Sequence, residues 1–378
     1  MKQGIIAVVL IAIISVILIM ANYIGTGDSI SVKLTVVDWY DQKIINTTAE
    51  SSDMKFQGDI NGEINVSLKD IGPDVIMISA PGYLTEAVPI GFEADNTEIK
   101  IRLLSDLDGK RIVMNFGGDV IFGRRYLDKP LEPGLNENEM AKARTLSVIE
   151  HLYKPFANAD VSYVNFESVI GSFNKTEAYK SKLHLLQSSI ESVDALNQMG
   201  VDIVSLANNH IRDWGDIGVD STIQALNMAG IKTIGAGNVE NANKPVIITK
   251  NGMDIGNLAY TTITGSYVND FLPRNSDLQP TTTVQQDNWK WEKRTWAWTS
   301  AEWVIPESGY RIGEIWALYS DKKPSLSEAE QVKVWSSISE RYPELLSFVA
   351  DNGQSGAASW DIEKSTLDIM ELRKKVDI

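Results

Sequence analysis

At 378 residues and 41.9 kDa the chain has room for two domains of ordinary size, since domains usually hold roughly 100 to 200 residues. Its 35 Lys and Arg against 50 Asp and Glu leave a net charge of -15. With no positive surplus to release counterions from a phosphate backbone, nucleic acid is excluded as the expected partner. Cysteine is absent, which removes disulfides, thiol nucleophiles and thiolate metal sites, so any metal is held by oxygen and imidazole.

The N-terminus, "MKQGIIAVVLIAIISVILIMANYIG", carries Lys2 and then an apolar run from Ile5 to Ala21 whose one polar member is Ser15. That is close to the roughly 20 residues of a bilayer-spanning helix. The run exceeds the roughly 7 to 15 residue core of a cleavable signal, and no clear small-x-small site follows, so residues 1–25 are expected to form an uncleaved transmembrane signal anchor. Lys2 on the short side sets an N-in orientation and places the main domains outside the cytoplasm.

Over residues 28–105 short alternating runs such as "SVKLTVVDW", "EINVSLKD", "DVIMISAPGY" and "TEIKIRLL" are punctuated by Asn, Asp, Gly and Pro. Period-two alternation of this kind predicts antiparallel strands in a small β-sandwich. Through "ISAPGYLTEAVPI" the segment resembles carboxypeptidase-regulatory or PEGA-like sandwiches. No cluster of catalytic residue types falls in it, which fits a spacer or adhesion module.

From about residue 110 strands alternate with helices, the rhythm of an α/β domain with a largely parallel sheet. "RIVMNFGGDV" is a strand ending in Gly117, Gly118 and Asp119. "TLSVIEHLYKPFANA" reads as a helix, "DVSYVNFES" as a strand, and "SIESVDALNQMG" as a helix with Gly200 at its C-terminal cap. The strand "VDIVSLA", the helix "GVDSTIQALNMAG", the strand "IKTIGAG" and the pair "KPVIITKNGMDIGNLAYTTIT" follow. Three strands therefore finish in polar residues: Asp119, then Asn165 with Glu167, then Asn209 with His210. Ligands of open α/β sheets bind outside the carboxyl ends of the strands.

A tryptophan-rich insertion is expected over about 265–360, where eight of the ten tryptophans lie, as in "NWKWEKRTWAWTSAEW". It reads either as a polymer cleft or as the core of a lid. The spacing of Ser325 and Glu328 suits a capping box. The end, "SWDIEKSTLDIMELRKKVDI", reads as an amphipathic helix running into a strand.

Carboxylate and amide oxygens suit hard divalent ions, and imidazole suits borderline ones. The strand-end set would supply such mixed ligands beside a proton donor, as metal-dependent phosphoester hydrolysis requires. Each residue also has a structural reading. Asp119 can serve a tight turn, Asn208 and Asn209 can cap a helix, Glu167 can be solvated, and Arg124 and Arg125 can form surface ion pairs rather than bind a phosphate or carboxylate. His151 and His184 read as structural.

The ordered series "NFGGDVIFGRR", "ADVSYVNFES", "VDIVSLANNHIRDWGDIG" and "ALNMAGIKTIGAG" resembles the capsule-synthesis CapA family, associated with poly-γ-glutamate and related to the calcineurin-like metallophosphoesterases. The resemblance covers roughly Arg111 to Thr264. It implies a metallophosphoesterase-like α/β domain of the four-layer αββα type over 110–378. It further implies divalent metal ions (Mn, Fe, Zn or Mg), dinuclear in a complete site, held by Asp119, Asn165, Glu167 and Asn209. His210 would then be the proton donor or phosphate contact, with Asp213 and Gly215 continuing its motif, and Arg124 and Asn208 would lie toward substrate. The family continues with His-x-Gly and Gly-His-x-His segments, whereas no histidine follows His210. The domain is accordingly expected to be incomplete, truncated or interrupted after "LRKKVDI".

The function expected is that of a membrane-anchored, extracytoplasmic protein acting in synthesis, release or attachment of an anionic cell-surface polymer through a metal-dependent hydrolase-like site. Its partners would be the membrane, that polymer or a phosphoester substrate, and capsule-assembly proteins. The alternative is a non-catalytic polymer-binding or assembly protein with a vestigial metal site. No Gly-x-x-x-x-Gly-Lys-Ser/Thr loop or Gly-x-Ser-x-Gly elbow occurs, which argues against nucleotide binding and serine hydrolysis.

Overall fold

The computed structural model describes residues 30–51, 54–68, 74–91, 94–123, 134–178, 184–263, 327–329, 348–351 and 353–378. The expected span over 1–25, Arg124, Arg125, Ser325 and all tryptophans of the insertion except Trp360 lie outside the described residues. Among the described residues no helix is long and apolar enough to cross a membrane. The chain separates into two compact units that divide after Arg111.

Among the described residues the first unit holds seven strands: β1 (Ile30–Val37), β2 (Thr48–Glu50), β3 (Lys55–Gln57), β4 (Glu63–Leu68), β5 (Asp74–Ser79), β6 (Glu86–Ile90) and β7 (Thr97–Arg102). They form two sheets, ordered β4-β1-β7 and β3-β2-β5-β6. Alternation on β1 buries Ile30, Val32, Leu34 and Val36, which join Ile64, Val66 and Leu68 of β4 and Ile76 and Ile78 of β5 in one core. One pairing departs from the antiparallel expectation, because β1 and β7 run parallel. A parallel pair needs a long crossover, and here the entire second sheet lies between the two strands in sequence. Pro89 is tolerated because β6 is an edge strand.

The second unit is a mixed α/β fold. Strands β8 (Met114–Val120), β9 (Val161–Phe166), β12 (Ile203–Ser205) and β13 (Lys232–Ile234) form a sheet in the order β13-β12-β9-β8, every pair parallel. The inner strands β9 and β12 are covered on both faces, as parallel strands require, while the edge strand β8 is more open and leaves Phe116 exposed. Val161, Tyr163 and Ile203 enter one cluster with Ile234 and Ile255. The alternate residues Val164, Phe166 and Val204 enter the larger core with Leu196, Leu206 and Leu226. Tyr163 stacks on Phe116 with ring centroids 4.7 Å apart. Burial, assisted by the charge of Asp202, pushes its phenol up to about 12, so it stays neutral.

Connections between these strands include β10 (Val169–Ile170), which pairs with β11 (Gln187–Ser188). The helices are α1 (Glu137–Ile149), α2 (Tyr153–Ala157), α3 (Ser192–Gln198), α4 (Gly215–Met228), α5 (Val239–Ala242) and α6 (Ile362–Leu372). α1 starts well before the expected "TLSVIEHL", because Asn136 and Glu139 form a reciprocal capping box at its N-terminus. The expected strand "IKTIGAG" breaks at Gly235 into β13 and β14 (Ala236–Gly237), and β14 pairs with β17 (Gly356–Ala357). The pair β15 (Val246–Lys250) and β16 (Met253–Asn257) closes through Asn251 and Gly252, both at positive φ, the geometry of a tight hairpin. After α6 the backbone N–H groups of Asp377 and Ile378 donate to Asp254 O, and Gly256 N–H donates to Ile378 O.

Gly235 has a φ of 81°, and a Cβ there would lie 2.7 Å from the Ala207 Cβ and 2.9 Å from the Ala259 Cβ. Gly235→Ala therefore combines left-handed strain with overpacking, and a loss of about 2 to 4 kcal/mol is expected in the urea transition of the second unit. A change below about 0.5 kcal/mol would mean that this strand break tolerates a side chain.

Candidate functional site

The carboxyl ends of β8, β9 and β12 converge. On β8 the register shifts between Phe116 and Asp119, so Gly117 and Gly118 form an irregularity that sets Asp119 opposite Asn165 of β9. Asn165 Nδ2 donates to Asp119 Oδ1 at 2.7 Å. Just past β9, Glu167 N–H donates to Val120 O at 3.1 Å, fixing the Glu167 backbone beside the end of β8.

Asn208 joins the third strand end to the second. Its Nδ2 donates to Asn165 Oδ1 at 3.2 Å and to Phe166 O at 2.9 Å. Its Oδ1 accepts the N–H groups of His210 and Ile211, each at 3.0 Å. Asn208 is buried; its acceptor end closes the turn, and its donor end ties the loop to β9. Asn209 is half-buried next to it.

His210 is 9% exposed and Asp213 is fully buried. His210 Nδ1 lies 2.9 Å from Asp213 Oδ2, and the same oxygen accepts the Leu186 N–H. A carboxylate oxygen only accepts, so Nδ1 is the protonated nitrogen and Nε2 is left to face the cluster. Glu167 Oε1 is 3.9 Å from Nε2, too far for a hydrogen bond but close enough for charge to be felt. The imidazole is thereby presented with one nitrogen held from behind and the other aimed at the strand ends.

Two further residues, absent from the sequence-based set, hold this loop. Arg212 is 5% exposed, and its Nη1 donates to Asp216 Oδ1, which also accepts the Ser355 N–H at 3.2 Å. The pair sits four residues apart across the start of α4, a spacing that signals an ion pair on a helix. Trp214 is buried, packs on Phe173, and donates its indole N–H to Asn174 O at 3.1 Å. Gly215 turns the loop into α4 at a φ of 59°.

His151 and His184 are exposed and apart from the cluster. Arg124 lies outside the described residues. Among the described residues no group of three His, Asp or Glu side chains converges closely enough to hold a metal ion. Asn165 and Asn208 direct their amides at each other and at Asp119 rather than at a shared point. The described His, Asp and Glu side chains therefore do not form a metal site by themselves.

A parallel sheet whose strand ends gather carboxylates, amides and an oriented imidazole defines an α/β protein with a candidate strand-end site. The family described as bacterial capsule synthesis protein PGA_cap matches residues 113–334, more than half of the chain, and the chain belongs to that family. It is similar to the capsule biosynthesis protein CapA of Bacillus anthracis, at 25% identity over 222 residues, covering 58% of this chain and 49% of that protein. The PGA biosynthesis protein CapA of Bacillus subtilis is 29% identical over 153 residues, with 40% and 37% covered. A probable polyglutamine synthesis accessory protein of Mycobacterium tuberculosis is 29% identical over 157 residues, with 33% and 39% covered. The chain spans about half or less of the length of these relatives.

Asp213→Ala removes the acceptor of both the Leu186 N–H and the His210 Nδ1–H in a fully buried position. A loss of roughly 1 to 3 kcal/mol in chemical denaturation is expected. An unchanged midpoint would show that water replaces the carboxylate and that the loop does not depend on it.

Proposed function

We propose that the chain is an accessory protein of capsule or poly-γ-glutamate-type polymer synthesis, anchored in the membrane by residues 1–25 with its main units outside the cytoplasm. Its strand-end cluster acts as a hydrolase-like site on the polymer or on a phosphoester linked to it. Family membership supports the polymer context, and the names of the relatives give its chemistry. The observation that carries the hydrolytic reading is the His210 imidazole, held at Nδ1 by a buried carboxylate and directed at the ends of β8 and β9.

In that site His210, when Nε2 carries a proton as well as Nδ1, hands it to the departing oxygen or nitrogen as water adds to the scissile phosphorus or carbonyl. Asp213 retains the Nδ1 proton and holds the ring in place through the transfer. Asp119 and Glu167 lie where an incoming water can be oriented and relieved of a proton. Divalent ions of the Mn, Fe, Zn or Mg kind belong to this reading through the metallophosphoesterase relationship, and holding them would take Asn209 and further donors beside Asp119, Asn165 and Glu167. When bound they would polarise the scissile group. Arg124 and Asn208 are the candidate substrate contacts in the same proposal.

A second reading, a non-catalytic surface protein that binds or assembles polymer, is favoured by one observation: the amides of Asn165 and Asn208 are already engaged within the protein, Asn208 donating to Asn165 and Asn165 donating to Asp119. Turnover of poly-γ-glutamate and of a chromogenic phosphodiester by the full chain decides between the two. His210→Ala and Asp119→Ala are expected to lower turnover by roughly 10²- to 10⁴-fold, the scale of a lost general acid or base. Equal turnover by wild type and both variants would remove these residues from the chemistry. Elemental analysis adds a second criterion, since a bound equivalent of metal lost with Asp119→Ala belongs to the hydrolase and no bound metal belongs to the binding protein.

A further inference from the structure

The turn after β1 exposes two large aromatic rings on a backbone that is held in place. Trp39 and Tyr40 are 67% and 81% exposed. Asp38 Oδ1 accepts the N–H groups of Tyr40 and Gln42, each at 2.8 Å, and Asp38 N–H donates to Gln42 O at 2.8 Å. Asp41, at a φ of 62°, is gripped by Lys100 at 2.7 Å and Arg102 at 2.6 Å. The same Arg102 guanidinium stands 5.8 Å from the centre of the Trp39 ring. None of these contacts buries the rings; all of them restrict the turn that displays them.

The rings border a groove of about 480 Å³, completed by Tyr83, Leu104, Leu107 and Arg111. That size falls within the roughly 300 to 1,000 Å³ of small-molecule sites. It is too small and concave for the face of a folded protein, where a standard interface buries roughly 800 Å² per partner. Displaying aromatic surface to water has a cost, and a contiguous exposed patch of this kind marks a binding site. Fixing the turn beforehand lowers the ordering cost when a ligand arrives.

Charge selects the ligand. Asp38 and Arg111 contribute one carboxylate and one guanidinium to the walls, so the lining itself is neutral, while Asp41, Lys100 and Arg102 leave one net positive charge beside it. The lining has no cationic surplus and the chain as a whole carries -15, so a polyanion finds little to hold it there. Pyranose rings offer the required complement, an apolar C–H face for each aromatic ring and a rim of hydroxyls for the carboxylate and the guanidinium.

We propose that this groove is a binding site for a neutral polysaccharide, with Trp39 and Tyr40 as stacking platforms and Asp38 and Arg111 as hydroxyl contacts. The site tethers the first unit to sugar polymer of the cell envelope. It stands independently of the hydrolytic reading of the strand-end cluster, since no residue is shared.

The test uses the full chain in detergent on an immobilised array of neutral and acidic glycans, with soluble poly-γ-glutamate as a separate probe. Wild type is expected to bind at least one neutral glycan, with little change between low and high salt. Trp39→Ala and Tyr40→Ala are expected to weaken that binding roughly tenfold or more, the scale of a lost stacking contact, while Trp39→Phe keeps most of it. Unchanged far-ultraviolet circular dichroism and urea midpoint would show that the exposed rings do not support the fold. Three outcomes overturn the proposal: no glycan is retained, only acidic glycans or poly-γ-glutamate bind and do so in a salt-dependent way, or the alanine variants bind as wild type does.

Discussion

The side chain of Asn208 is the constraint on which the strand-end cluster depends. An asparagine amide is one of the few groups that can donate in one direction and accept in the other from a single rigid plane. Here the donor end reaches Asn165 and the Phe166 carbonyl at the end of β9, and the acceptor end gathers the N–H groups of His210 and Ile211. One side chain thus registers the end of β12 against the end of β9 and sets where the histidine backbone begins. Asn165 continues the relay to Asp119 on β8. Because these links are made by short side chains on hydrogen-bonded parallel strands, with β9 and β12 buried, the geometry at the strand ends inherits the rigidity of the sheet.

Behind that relay a second layer fixes the imbalance between the two faces of the imidazole. Asp213 is enclosed completely, and it remains satisfied because Leu186 N–H and His210 Nδ1–H both point at it. Burying a carboxylate is costly unless it is paired and hydrogen-bonded, so its partners are held as firmly as it is. Arg212, Asp216 and the Ser355 backbone repeat the device one helical turn further on, and Trp214 pins the loop through Asn174. The loop from Asn208 to Asp216 is consequently anchored along its length.

Much of this was legible in the sequence, because it rests on local signals. The alternating runs of the first unit announced strands, and the apolar stretches ending in Asp119, Asn165 and Asn209 announced a sheet with a polar rim. Orientation and long-range pairing were less legible. The parallel pairing of β1 with β7 joins segments more than sixty residues apart, as the Val32 to Thr97 register shows, and nothing in either segment encodes the partner. The start of α1 was missed although Asn136 and Glu139 form a capping box, because the reading followed the apolar residues beginning near Leu146 instead of the cap. Arg212 passed unnoticed since a charged residue in a polar loop reads as solvated until its burial is seen. The role of Asn208 was visible only as a choice between turn or cap and substrate contact, and the span of its four hydrogen bonds from the turn to β9 needed the fold to be seen.

The two units differ in how charge is arranged, and the difference bears on what each can hold. In the first unit the acidic Asp41 is paired with Lys100 and Arg102 of β7 and the groove lining is neutral, so recognition there rests on shape and apolar contact and should depend little on salt. In the second, Asp119 and Glu167 bring two carboxylates to the strand ends beside the His210 imidazole. A charged polymer brought to that place would feel these carboxylates, and its binding would depend on salt. Under the two proposals, attachment through the neutral groove would hold the protein at the cell envelope without asking the acidic cluster to supply affinity.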